Sequence, residues 1–275
     1  MKNKNKAYTD NYKQYISPAL KAYPALSELS SLTGMQAIIH DRIWDSIING
    51  ELKPGAKVPE LQIGEAFSVS RTIVRNVLIV MEQEELITLP PNRGAYIAIH
   101  TPEQIEQAFE SVNLTMKYII QQLSENPAAI SAKDRQKIEA HLNYELPDDL
   151  NHNQRSHMRF GMEFIALLCA IYNNKMLLKF AERVCSIIMI ASANFQQKLI
   201  MWPEKKKQEQ IINAIYAGKA VEGISAFESY MKPLQNSFNF DVQEQNKDIY
   251  SVISSLSDGL NLQKPIRHRN ISKKK

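Results

Sequence analysis

Cysteine is nearly absent from this chain: there are two in 275 residues, Cys169 and Cys185, both in one apolar stretch. A pair so placed reads as two buried thiols of a cytosolic protein rather than as a disulfide or a metal pair. No apolar run of signal-peptide length follows Lys2, Lys4 and Lys6, and no window reaches the span of a membrane helix, so neither secretion nor membrane partnership is expected and a cytoplasmic location is. After residue 101, Gly-rich phosphate loops, clustered His, Cys and Asp sets, and recognisable nucleophiles paired with a base are also missing. Asp149, Ser156 and His157 lie close in sequence, but that closeness supplies no triad, and catalysis is not expected. Strand-like alternation of any length is lacking after Ile99, so the rest of the chain should be helical.

Positive charge is scarcer than the net +4 suggests. Residues 264–275 hold six lysines or arginines and no acid; taking six from +4 leaves −2 for the other 263 residues. Between Gly34 and Ile99 six basic residues face eight acids. A nucleic-acid reading must therefore rest on where the arginines stand.

What is present is concentrated between residues 60 and 97. Glu60 to Leu78 reads as two helices joined by a tight link at Phe67-Ser68-Val69, and Leu86 to Ile97 as a β-hairpin tipped by Pro90, Pro91, Asn92, Arg93 and Gly94. A helix is expected over about 33–49, where Ile38, Ile39, Ile43, Trp44, Ile47 and Ile48 recur at helical spacing and Gly50 stops it. Three helices and a hairpin in this order make a helix-turn-helix with a wing, which places one helix in the major groove and a loop beside it. Ser70 should cap the recognition helix if it begins at Arg71, setting its first amides against a phosphate. Arg71 and Thr72 stand at its groove-entering end and Arg75 lies one turn on, on the same face. Arginine can grip guanine O6 and N7 with two donors, and threonine can touch a base edge or a phosphate. Ile73, Val74, Val77, Leu78 and Met81 should form the buried side, with Leu61, Ile63 and Phe67 opposite and Ala66 small enough for a close crossing.

The expected organisation is an N-terminal arm over 1–32 with one short ordered piece, a winged domain over 33–100, a helical domain over 101–239, and a polar and basic tail over 240–275. Thr101-Pro102 is a helix opening, with a hydroxyl to cap and proline at the first turn. The helix it starts, to about 122, has an apolar face of Ile105, Ala108, Phe109, Val112, Met116 and Ile119. Further helices are expected at about 132–144, 153–172, 175–199, 204–217 and 219–237, with a weak one near Val252 to Leu256. The fold class is thus mainly α: a winged helix-turn-helix with a small hairpin, then an all-α bundle of six or seven helices.

The segment from Met35 to Ile99 resembles the winged helix-turn-helix of the GntR family of transcriptional regulators. The matching runs are Ile48-Asn49-Gly50-Glu51-Leu52-Lys53-Pro54-Gly55, Val69-Ser70-Arg71-Thr72-Ile73-Val74-Arg75 and Pro91-Asn92-Arg93-Gly94-Ala95-Tyr96. Residues 102–238 resemble the family's FadR-type helical domain, FCD, through Asn174-Lys175-Met176-Leu177 and the run from Ile211 to Gly218. The resemblance implies a DNA-binding repressor, a homodimer on an inverted-repeat operator, with Ser70, Arg71, Thr72, Arg75, Arg93 and Gly94 at the DNA and Gly94 letting the wing tip approach the minor groove. It also marks two departures: Asn76 stands where the family usually has glutamate, and Glu85 where it usually has glycine, a change expected to tighten or re-route the turn before the wing.

Many FCD domains hold a divalent metal with an aspartate and three histidines, and those positions fall here on Gly161, Ile165, Gln208 and Tyr230. None offers imidazole or carboxylate, so neither metal nor other cofactor is expected. His157 lies one turn before Gly161; a polar or surface role, a ligand contact and a metal-ligand role are weighed for it, but one histidine without partners makes no site. Three readings of the bundle stay open: an apolar or amphipathic effector, an effector held by groups such as His157, Arg159, Arg183, Gln208 and Tyr230, or a degenerate sensor that serves only dimerisation. The basic tail reads either as a solubilising end or as a gatherer of phosphates or acidic surface.

Overall fold

The computed structural model describes residues 15–20, 32–148, 154–196 and 205–240. The expected helix near Val252 and the basic tail lie outside the described residues. Helix α1 (Met35–Ile48) opens the winged unit and ends at Asn49, after which Gly50 takes φ 75°. Strand β1 (Lys57–Val58), helix α2 (Glu60–Ala66), helix α3 (Arg71–Gln83) and strands β2 (Ile87–Thr88) and β3 (Ala95–Ile97) follow. The sheet is antiparallel in the order β1-β3-β2, with Val58 opposite Ala95 and Thr88 opposite Tyr96. The hairpin is thus joined by a third strand, Lys57–Val58, too short to show any alternation in the sequence.

The helical periodicities translate into a core. Ile39, Ile43 and Ile47 of α1 are buried with Val74, Val77, Leu78 and Met81 of α3 and with Ile63 and Phe67. Burying such side chains contributes on the order of 1.5–3 kcal/mol each. Three details differ from the expected pattern. Ile73, expected on the buried side, is only half-buried against the core. Leu61 is 62% exposed, since it precedes the turn of α2 that packs. The small residue at the crossing is Gly64 rather than Ala66: a methyl group there would stand 3.1 Å from the Val69 carbonyl oxygen.

Glu85 does not re-route its turn. It adopts φ 61°, the left-handed conformation glycine would take, and its amide and that of Leu86 close the end of α3 on the carbonyls of Glu82 and Met81. Its side chain pairs with Arg183 of the helical domain.

Six helices make up the bundle among the described residues: α4 (Pro102–Glu125), α5 (Ala132–Leu142), α6 (Gln154–Ile171), α7 (Lys175–Phe195), α8 (Lys205–Tyr216) and α9 (Ala220–Asn236), with a 3-10 turn at Pro127–Ala129. Thr101 and Gln104 form a capping box at α4, and Asn174 caps α7 through the amides of Met176 and Leu177. All six residues of the expected α4 face are buried, and α4 packs against α7 and α9. Both cysteines are buried free thiols. Among the described residues no helix is long and apolar enough to cross a membrane.

The two units are in contact. Arg159 of α6 bonds Asp45 of α1 and lies over the Trp44 ring, 4.8 Å from guanidinium carbon to centroid. One turn earlier Arg155 packs on Gly50, where an added methyl would collide with its guanidinium. Residues 15–20, from the arm, are held in the bundle: Tyr15, Ser17, Ala19 and Leu20 are all buried.

Candidate nucleic-acid interface

The link between α2 and α3 turns at Ser68, φ 54°, and Ser70 then caps α3, accepting from the Ile73 amide at 3.4 Å. Helix α3 therefore starts at Arg71, which puts Arg71 and Arg75 one turn apart on one face. Arg71 is 73% exposed and Arg75 40%. Both are oriented by one group, the Glu60 carboxylate at the start of α2. Its Oε2 accepts from Arg71 Nε at 2.7 Å and its Oε1 from Arg75 Nη1 at 2.6 Å. Glu60 is buried, which alone would raise its pKa, but the two guanidinium groups outweigh burial and lower it.

A guanidinium bound through Nε keeps both terminal amino groups for a second partner, and one bound through a terminal nitrogen keeps its other edge. The pair can thus be aligned by Glu60 and still present donors outward. Arg71, Thr72, Arg75 and Asn76 line one side of a cleft of about 500 Å³, and Pro90, Asn92 and Gly94 of the wing line the other. Asn92 has φ 60° and Gly94 φ 86°, so the tip folds through two left-handed residues. Arg93 is exposed between them. The structure thus gathers Arg71, Thr72, Arg75 and Gly94 around one concavity, with Ser70 at the helix start and Arg93 at the wing tip.

Two residues at this site are absent from the sequence expectation. Glu60 reads there only as one of eight acids; the available signal was its position at the first turn of the helix preceding the arginines. Lys57 of β1 is exposed and reaches the wing, its Cε 3.7 Å from where a methyl group on Gly94 would stand. Strand pairing with β3 brings it there.

The candidate effector residues do not form one site. Tyr230 donates to the Gly161 carbonyl at 3.0 Å and accepts from Gln208 Nε2 at 3.1 Å, all buried. Burial raises the Tyr230 hydroxyl well above its ordinary pKa, so it stays a neutral donor. Gly161, Gln208 and Tyr230 thus meet in a neutral hydrogen-bonded knot that does not suit a divalent cation. Arg159 is turned toward Asp45, Trp44 and Glu163, and Arg183 toward Glu85. His157 is half-buried on α6.

Residues 36–97 match the model of the family described as bacterial regulatory proteins, gntR family. The chain is similar to the HTH-type transcriptional regulator LutR of Bacillus subtilis, 25% identical over 212 residues that span 69% of this chain and 94% of that one. It is also similar to the Uxu operon regulator of Haemophilus influenzae, 30% identical over 148 residues, 50% of this chain and 54% of that one. Its fold is similar to E. coli McbR/YncC with a TM-score of 0.58 at 14% identity, over 74% of this chain and 96% of that one. The helix that Arg71 begins, the wing and the buried Glu60 all lie within residues 36–97, the part of the chain that matches the gntR family.

Proposed function

We propose that the chain is a sequence-specific repressor that binds an inverted-repeat operator as a homodimer, the winged domain (33–100) reading DNA and the helical domain (101–239) joining two copies. The observation that carries the reading is the Arg71–Glu60–Arg75 arrangement beside Thr72, facing the wing across a cleft. In it, Arg71 and Arg75 read base edges, while Arg93, Lys57 and the Ser70-capped amides hold phosphates. One recognition helix reads only a few base pairs, so two-fold pairing supplies the rest of the operator. Exposed Leu114 and Tyr118, one turn apart on α4, and Met176 and Phe180, one turn apart on α7, support a bundle face that pairs.

Selection of duplexes from a random pool, then competition at fixed salt, tests the reading. An inverted repeat bound by two chains is expected. Equal affinity for selected and random DNA, or one chain per selected duplex with only monomer in light scattering, would sink it.

For the bundle, the reading without a small-molecule sensor is favoured by the Gln208–Tyr230–Gly161 knot and by the engagement of Arg159 and Arg183 with the winged domain. A thermal-shift screen coupled to operator release decides: any compound that both stabilises the chain and releases operator restores the sensor reading.

A further inference from the structure

Residues 15–20 touch three helices of the bundle through groups at least 124 residues away. The Glu163 carboxylate of α6 accepts from the Ile16 amide at 2.8 Å and from the Ser17 amide at 2.6 Å, one oxygen for each. The Tyr15 hydroxyl donates to Glu182 of α7. Ser17 Oγ lies 2.8 Å from His141 Nδ1 of α5, and the His141 ring is stacked on Phe160 at 4.2 Å and 8°, which fixes its direction. Two successive N–H groups meeting both oxygens of one carboxylate is a forked recognition of the kind guanidinium groups use.

The receiving groups are deep. Glu163, Glu182 and His141 are buried; Glu182 Oε2 and His141 Nε2 have no hydrogen-bond partner among the described residues. Burial raises the Glu182 carboxyl to about 8 and lowers the His141 imidazole to about 3, so both resist ionisation. Buried polar groups without partners are costly. A bundle without the arm would leave Glu182 and His141 buried without partners and Glu163 with Arg159 alone, whereas residues 15–17 supply a partner to each.

The site also reaches the winged domain. Glu163 Oε1, which takes the Ile16 amide, lies 3.4 Å from Arg159 Nε, and the same guanidinium bonds Asp45 and covers Trp44 of α1. The relay therefore runs from the arm through Glu163 and Arg159 to α1.

We infer that Glu163, Glu182 and His141 form a binding site for a short peptide segment that turns, that residues 15–20 are its resident ligand, and that their occupancy holds the winged domain in place on the bundle. The ligand class is a segment with two successive open amides flanked by a tyrosine and a serine hydroxyl. The inference does not depend on which DNA the protein reads, and its test uses no DNA.

The test uses the full chain. Hydrogen exchange should find the Ile16 and Ser17 amides protected, and Y15F/S17A, which alters no bundle residue, should lower that protection about tenfold or more through two lost hydrogen bonds. Spin labels at exposed Glu65 and Lys175, diluted with unlabelled chain, should give a narrow distance distribution that broadens in the double variant. E163Q should do the same more strongly; because it changes a fully buried position of the bundle, Y15F/S17A carries the decision. Unprotected Ile16 and Ser17 amides in the unaltered chain would overturn the site. Protection lost with the distance distribution unchanged would overturn the hold on the winged domain.

Discussion

Replacing Glu60 by glutamine keeps its shape and removes its charge, so that Arg71 and Arg75 lose their common anchor. The protein itself should lose only about 1–2 kcal/mol of stability, because the arginines are largely exposed and surface pairs contribute about 0–1 kcal/mol each, while Glu60 is buried. The larger consequence is at the DNA. Freezing a long side chain on binding costs about 0.5–1.5 kcal/mol, so two unanchored arginines add about 1–3 kcal/mol to operator recognition, roughly 5- to 150-fold. Removing an acid from beside the phosphates acts the other way and favours every duplex equally, steepening the salt slope by up to about 0.9. The ratio of operator to mismatched-duplex affinity should thus narrow in E60Q even where total affinity does not fall. Competition binding over a salt series measures both. An unchanged or wider ratio would refute the alignment role and make Glu60 a brake that competes with DNA for the two arginines.

R71A and R75A should each lose about 1–3 kcal/mol of discrimination, while R93A should weaken all duplexes evenly; the same competition assay separates the two. Glu85→Gly should raise the urea midpoint by the equivalent of about 0.5–1 kcal/mol, since a left-handed non-glycine residue is strained by more than an exposed pair with Arg183 returns. Gly50→Ala should cost about 1–3 kcal/mol in the same melt, because φ is 75° and Arg155 occupies the space. For His40, burial alone would lower the pKa, but hydrogen bonds to Asp41 and Glu84 outweigh it and raise it to about 9. Its contribution is complete below about pH 6.5 and lost as pH rises through about 9, so the urea midpoint should fall between pH 7 and 10 and H40Q should flatten that fall.

The helices were legible because their apolar spacing and caps are local: Thr101, Ser70 and Asn174 each act on amides two or three residues on. The alignment of Arg71 and Arg75 on one helix face was legible for the same reason, since one turn separates them. Glu60 was not, because its partners lie 11 and 15 residues away on another helix and pairing across helices leaves no periodic trace. Arg159 and Arg183 read as candidates to hold an effector in a helical domain, yet both answer to acids more than 90 residues earlier, and such long-range choices are set by how two units dock. The arm was the least legible part. Nothing in Tyr15 to Leu20 has a period, and its order comes from Glu163, Glu182 and His141.

That last dependence has a temporal side. During synthesis residues 15–20 are made before every helix of the bundle, and Glu182 follows Tyr15 by 167 positions. At roughly 5–20 residues per second the segment waits about 10–30 s for its docking groups to exist. Throughout that interval Tyr15 and Leu20 have no bundle to enter, and contacts this distant in sequence are slow to form in any case. A segment made before the whole bundle is thus among the last to settle, and a folding chain without it would carry Glu182 and His141 buried and still waiting for partners, with Glu163 held by Arg159 alone.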